Sequence, residues 1–138
     1  MMMRSLAILL ASGLLTVSYA DTAVVGGDTQ VFTQQSGKEL YEQVCASCHM
    51  LDAKGATGAG TYPSLSKNPK LGAPAYAVFM VTQGNRAMPG LGGLMNDEQI
   101  AEVVNYVRSH FGNEFSDKVT AKDVAAQRPK DHQYVDLN

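Results

Sequence analysis

Cys45, Cys48 and His49, in the run Cys45-Ala46-Ser47-Cys48-His49, are the residues whose types and spacing carry chemistry. One helical turn brings positions i and i+3 to the same side, so two thiols placed this way can reach the two vinyl groups of a single porphyrin and bond to both. The next residue, His49, then stands under the iron, where an imidazole nitrogen serves as proximal ligand. Other readings use these residues less fully. A thioredoxin-like redox pair wants a strand before it and a βαβ surround, and a structural zinc site wants a second Cys or His pair at ligand spacing. A disulfide across two residues closes a small strained ring and leaves His49 without a part.

With an Ala-Met-Pro-Gly stretch at Ala87 to Gly90 downstream, the pentad resembles the class I c-type cytochromes, and the likeness spans about residues 36–112. The resemblance implies an all-α fold of three to five helices around one covalently bound haem c, with electron transfer as its work. It implies haem attachment outside the cytoplasm in bacteria. It also implies that a proline carbonyl, here that of Pro63, accepts the Nδ1–H of the proximal histidine, which fixes the tautomer and tunes ligand basicity. Tyr62 stands before Pro63 where many relatives have glycine, so the local backbone is expected to differ.

A second axial ligand must approach from the far side of the ring, and Met80, Met88, Met95, His110 and His132 are the candidates. Met88 is the one shaped for it. Pro89 fixes the following φ and Gly90 permits a turn, so a thioether in this loop can be aimed free of helical constraint. Met80 falls inside a helix, Met95 directly before one, His110 near a helix C-terminus and His132 in a polar tail. Imidazole with thioether favours Fe(II) and raises the potential relative to two imidazoles, and a filled sixth position suits one-electron transfer rather than turnover. An open sixth site would instead suit a haem enzyme or gas sensor.

The elements that must position these groups follow in chain order. Arg4, the apolar run Leu6 to Val17 and the small residues of Ser18-Tyr19-Ala20 read as a secretory signal cleaved after Ala20, so residues 1–20 are assigned to export and the mature chain to the periplasm. Losing Arg4 leaves 10 cations against 13 carboxylates, a net of −3, which is not the balance of a nucleic-acid binder. No membrane span is expected after cleavage. Residues 21–35 read as an extended lead-in. Ser36 and Glu39 form a capping box, and Leu40, Tyr41, Val44, Cys45 and Cys48 recur at helical spacing, so one helix delivers the thiols.

Gly55 to Gly60 reads as a flexible loop. Pro74 and Gly84 bracket a second helix over 75–83, with Tyr76, Phe79 and Met80 expected at the haem pocket. Asn96 with Gln99 caps a third, whose Ile100, Val103, Val104 and Val107 form an apolar stripe, and the family likeness has this helix cross the first at Gly37 beside Tyr41 and Tyr106. The cytochrome domain is thus expected over residues 36–112. Residues 113–138 read as a polar appendage compatible with one short helix capped by Thr120.

Between Asp52 and Asp97 no acidic residue occurs, while Lys54, Lys67, Lys70 and Arg86 do. This distribution suits either scattered solvated side chains or a basic surround of the haem edge that steers an acidic redox partner. The expected partners are a periplasmic dehydrogenase or quinol-oxidising complex on one side and a terminal oxidase or other acceptor on the other. A cytochrome c subunit of a periplasmic dehydrogenase complex is the alternative. No Ser/His/Asp set or phosphate loop supports independent catalysis.

Overall fold

The computed structural model describes residues 32–129. The expected signal segment, most of the lead-in and His132 lie outside the described residues. The first helical run begins where Ser36 accepts the Glu39 backbone N–H and donates its hydroxyl to the Glu39 carboxylate at 2.8 Å. It comprises α1 (Gly37–Leu40), a π-helical turn (Tyr41–Cys45) and α2 (Ala46–His49). The sequence suggested one regular helix. Instead the Ala46 N–H reaches back five residues to the Tyr41 carbonyl, the widened turn of a π-helix, and Met50 stops the run at φ 64°.

The segment read as a flexible loop is a short two-stranded antiparallel hairpin, β1 (Ala56–Thr57) with β2 (Thr61–Tyr62), a small addition to the expected all-α cytochrome fold. A 3₁₀ turn (Pro69–Gly72), capped by the Asn68 side chain, leads into α3 (Pro74–Gln83). The long helix α4 (Asp97–Ser109) opens with the reciprocal Asn96/Gln99 capping box, so its first turn has satisfied donors and two acids against the dipole.

The α1–α4 crossing is a close backbone approach. A Cβ at Gly37 would lie 2.1 Å from the Glu102 carbonyl oxygen, so only glycine lets the two backbones approach this closely. Tyr41, Tyr106 and Phe111 cluster beside it, with the Tyr41 and Phe111 rings 4.8 Å apart. Leu40, Val78, Ile100, Val103 and Val104 complete the core.

Residues 113–128 lie against the helical frame. Val119 and Val124 are buried in the same core, Asn105 bonds Val119 through both its N–H and its carbonyl, and α5 (Ala121–Gln127), capped by Thr120, packs on α3 and α4. The expected domain edge after Gly112 is therefore no edge in packing. Arg108 makes the join possible. Its guanidinium, 1% exposed, donates to the Leu71 carbonyl at 2.8 Å and to Asp117 Oδ1 at 2.7 Å, and it lies over the Phe115 ring. A buried guanidinium is tolerable only when its donors are so occupied.

Candidate functional site

Cys45 closes the π turn and Cys48 follows one turn later in α2, both free thiols and both half-buried. Burial pushes the Cys45 thiol up to about 12, with the neighbouring Cys48 adding to the effect. His49 ends α2 and is only 7% exposed. Its Nδ1 lies 2.9 Å from the Pro63 carbonyl oxygen. A carbonyl can only accept, so Nδ1 carries the proton and Nε2 keeps its lone pair, without a hydrogen-bond partner among the described residues.

The hairpin sets this bond. The Gly55 N–H donates to the His49 carbonyl at 3.0 Å, and Gly55, at φ 69°, leaves so little room that a Cβ there would sit 2.0 Å from the Tyr62 carbonyl oxygen. Leu65 and Ser66 both donate to the Ala53 carbonyl on the other flank. The chain from His49 to Ser66 is thus closed on itself, with Pro63 presented to the ring. Tyr62 before the proline does not prevent this, because it occupies the second hairpin strand in extended backbone.

Met88 is half-buried in the loop between α3 and α4. Asn85 and Met88 exchange backbone hydrogen bonds at 2.9 and 3.0 Å around a turn in which Arg86 has φ 55°. Beyond it, Leu91 and Gly92 donate to the Val81 and Thr82 carbonyls, occupying acceptors that the end of α3 would otherwise leave free. A Cβ at Gly84 would meet the Met88 carbonyl oxygen at 2.3 Å. The other candidates are differently employed. Met95 is buried in the core, Met80 is held within α3, and His110 is exposed, stacked on Tyr106 and within 2.9 Å of the Tyr106 carbonyl.

α3 carries no charged residue, and its Ala77, Val78 and Thr82 face the core. Tyr76 and Phe79 lie on the opposite side, Phe79 52% exposed, with Met80 beside them. A helix apolar around its whole circumference needs apolar neighbours on both faces, and this one has them on one. Two thiols at i and i+3, an imidazole with a free Nε2 and an uncovered aromatic face together fit a haem tethered through thioethers.

The family described as cytochrome C oxidase, cbb3-type, subunit III matches residues 32–107. This chain belongs to that cytochrome c family. It carries one covalently bound haem c, the cofactor its Cys-X-X-Cys-His motif calls for. The cytochrome shares 33% identity over 109 residues with the gluconate 2-dehydrogenase cytochrome c subunit of Pantoea cypripedii, covering 68% of this chain and 24% of that one. It is 41% identical over 92 residues to the fructose dehydrogenase cytochrome subunit of Gluconobacter japonicus, covering 56% of this chain and 19% of the relative. It is 32% identical over 83 residues to cytochrome c6 of Diacronema lutheri, covering 56% of this chain and 95% of that protein. The chain therefore spans a quarter or less of the two dehydrogenase subunits.

Residues missed by the sequence reading are the carbonyl of His49 and Gly55, which brace the His49 side of the site. Their signal was available in part: a glycine six residues after His49, followed by two more at Gly58 and Gly60, is also the composition of a tight hairpin. Among the described residues no helix is long and apolar enough to cross a membrane.

Proposed function

We propose that this cytochrome is a one-electron carrier of the periplasm, with Cys45 and Cys48 as thioether anchors and His49 and Met88 as the axial ligands. When bound, haem c supplies an iron that alternates between two oxidation states one electron apart. The observation that carries the reading is the His49 imidazole, which has Nδ1 committed to the Pro63 carbonyl and Nε2 left as a donor beside two thiols. Pro63 keeps the ring in one tautomer and one orientation. The Met88 thioether gains its aim from the backbone pair with Asn85. Tyr76, Phe79 and Met80 exclude water from one side of the macrocycle.

The residue sequence Arg4 to Ala20 supports export, and the acid-free interval supports an acidic partner. Lys54 is less available than the sequence suggested, because Asp52 pairs with it at 3.0 Å. Lys67, Lys70 and Arg86 are exposed and make no ion pair among the described residues. These three would steer a small, short-lived encounter. The donor in our reading is a dehydrogenase or quinol-oxidising complex and the acceptor a terminal oxidase or equivalent. Service as a subunit of a dehydrogenase complex is the second reading, favoured by relatives whose names describe such subunits, of which the gluconate 2-dehydrogenase cytochrome c subunit matches 68% of this chain against 56% for cytochrome c6.

Native purification from the periplasm tests both readings. The carrier predicts a monohaem protein that is reduced by a separate dehydrogenase at a rate falling with ionic strength. The subunit predicts stable co-purification with that enzyme. A chain whose mass shows no added haem overturns both.

A further inference from the structure

Arg128 lies beyond every residue expected to matter, yet its side chain is mostly buried. Its Nε donates to Asp97 Oδ1, Nη1 to the Gly92 carbonyl and Nη2 to the Met95 carbonyl at 2.8 Å. All three partners lie within the last part of the Met88 loop or the first residue of α4. The Gly92 peptide is thereby held from both sides, its N–H by the Thr82 carbonyl and its carbonyl by Arg128. A Cβ at Gly92 would lie 2.9 Å from the Thr82 oxygen and 3.5 Å from Arg128 Nη1, so the packing around this peptide is close on both faces.

We propose that Arg128 is a positioning residue for the Met88 ligand: anchored on Asp97, its guanidinium clamps the 92–95 segment and so holds the Met88 loop on the haem side. The inference rests on Met88 being the axial ligand. A thioether is a weak donor to iron and only a weak hydrogen-bond acceptor, so it is gripped from behind less firmly than Pro63 grips His49, and its residence on iron depends strongly on how little the backbone loop wanders. The loop's first half is fixed locally, by Asn85 and by the end of α3. Its second half makes a turn of its own, with Leu94 and Met95 both donating to the Leu91 carbonyl, and that turn is tied to the tail by a planar fork of N–H donors that an ammonium cannot reproduce.

The test uses the full-length oxidised holoprotein and follows the near-infrared sulfur-to-iron band as pH is raised. Arg128→Ala and Arg128→Lys should each lower the midpoint pH for loss of the band by about one unit, a roughly tenfold change in ligand retention. Asp97→Asn should lower it by less, since the fork survives without its anchor. The Leu91 and Gly92 amides should exchange faster in both Arg128 variants. Tyr106→Leu, which weakens the helix crossing far from the loop, serves as the stability control and should lower Tm with the midpoint unmoved. An unchanged midpoint in Arg128→Ala, or a shift that merely follows Tm and appears equally in Tyr106→Leu, overturns the clamp. A band that survives Met88→Ala overturns the ligand assignment itself and the clamp with it, and so distinguishes the two failures.

Discussion

The two sides of the candidate haem site are held by different means. On the His49 side the functional ring is itself hydrogen-bonded, to Pro63, and the residues around it are tied within an eighteen-residue stretch from His49 to Ser66. On the Met88 side the side chain has no such bond among the described residues; the backbone is held there, partly by neighbours and partly by Arg128 some forty positions away. An imidazole has a second nitrogen by which a protein can grip it firmly, and a thioether offers only a weakly accepting sulfur. The proximal side is thus rigid by local construction, while the distal side is rigid only if the whole fold is in place.

The comparison breaks most completely if the tether is removed. Cys45→Ala/Cys48→Ala should yield a protein with no covalently added mass and with most native-like amide protection lost, since a short chain lacking its cofactor has little core to spare. Mass spectrometry and amide exchange check this, and a protected, haem-free fold would contradict it. Next in size is Gly55→Ala. A Cβ 2.0 Å from the Tyr62 carbonyl at φ 69° should cost about 1 to 3 kcal/mol, read as a lower denaturation midpoint. That loss should come with a disturbed His49 environment in the holoprotein spectrum.

Met88→Ala should be the milder change in stability and the sharper one in spectrum. The sulfur-to-iron band should vanish and the potential should fall, while Met95→Ala should lower stability by roughly 2 to 4 kcal/mol with the band retained. The reverse pattern would exchange the roles of the two methionines. Smallest is an acid effect at the tail. The Thr120 hydroxyl and N–H hold the Asp123 carboxyl below its ordinary value of 3.8. A depressed folded-state value means that the stabilisation is present above 3.8 and is lost as pH falls through the folded value. Amides of residues 121–127 should therefore lose protection on acidification before those of α4, and Thr120→Ala, which leaves the backbone N–H bond in place, should weaken that pH dependence.

Much of this was legible in the sequence because it is local. The Cys45-to-His49 motif, the Ser36 and Asn96 capping boxes and the stripe from Ile100 to Val107 each need only neighbours within one or two turns. The hairpin before Pro63 was hidden because its glycines are equally those of a loop, and its closure comes from the His49 carbonyl rather than from strand composition. The tail was misjudged because its attachment is made by cations donating to distant backbone oxygens, and a carbonyl has no sequence signature. Arg108 did carry a hint. It stands at i+8 from Ile100 and i+4 from Val104, on the buried stripe, where an arginine demands partners that its helix cannot provide.

The uncovered face of α3 bears on how such a protein comes into being. In our reading the macrocycle covers Tyr76 and Phe79. A chain still lacking it leaves those aromatic side chains, and the apolar residues its incomplete fold fails to bury, open to other copies, which makes the immature polypeptide, rather than the finished one, the species prone to self-association. Maturation is then a race between attachment and clumping, and the yield of such a cytochrome in any host should track the supply of haem more closely than the rate of translation.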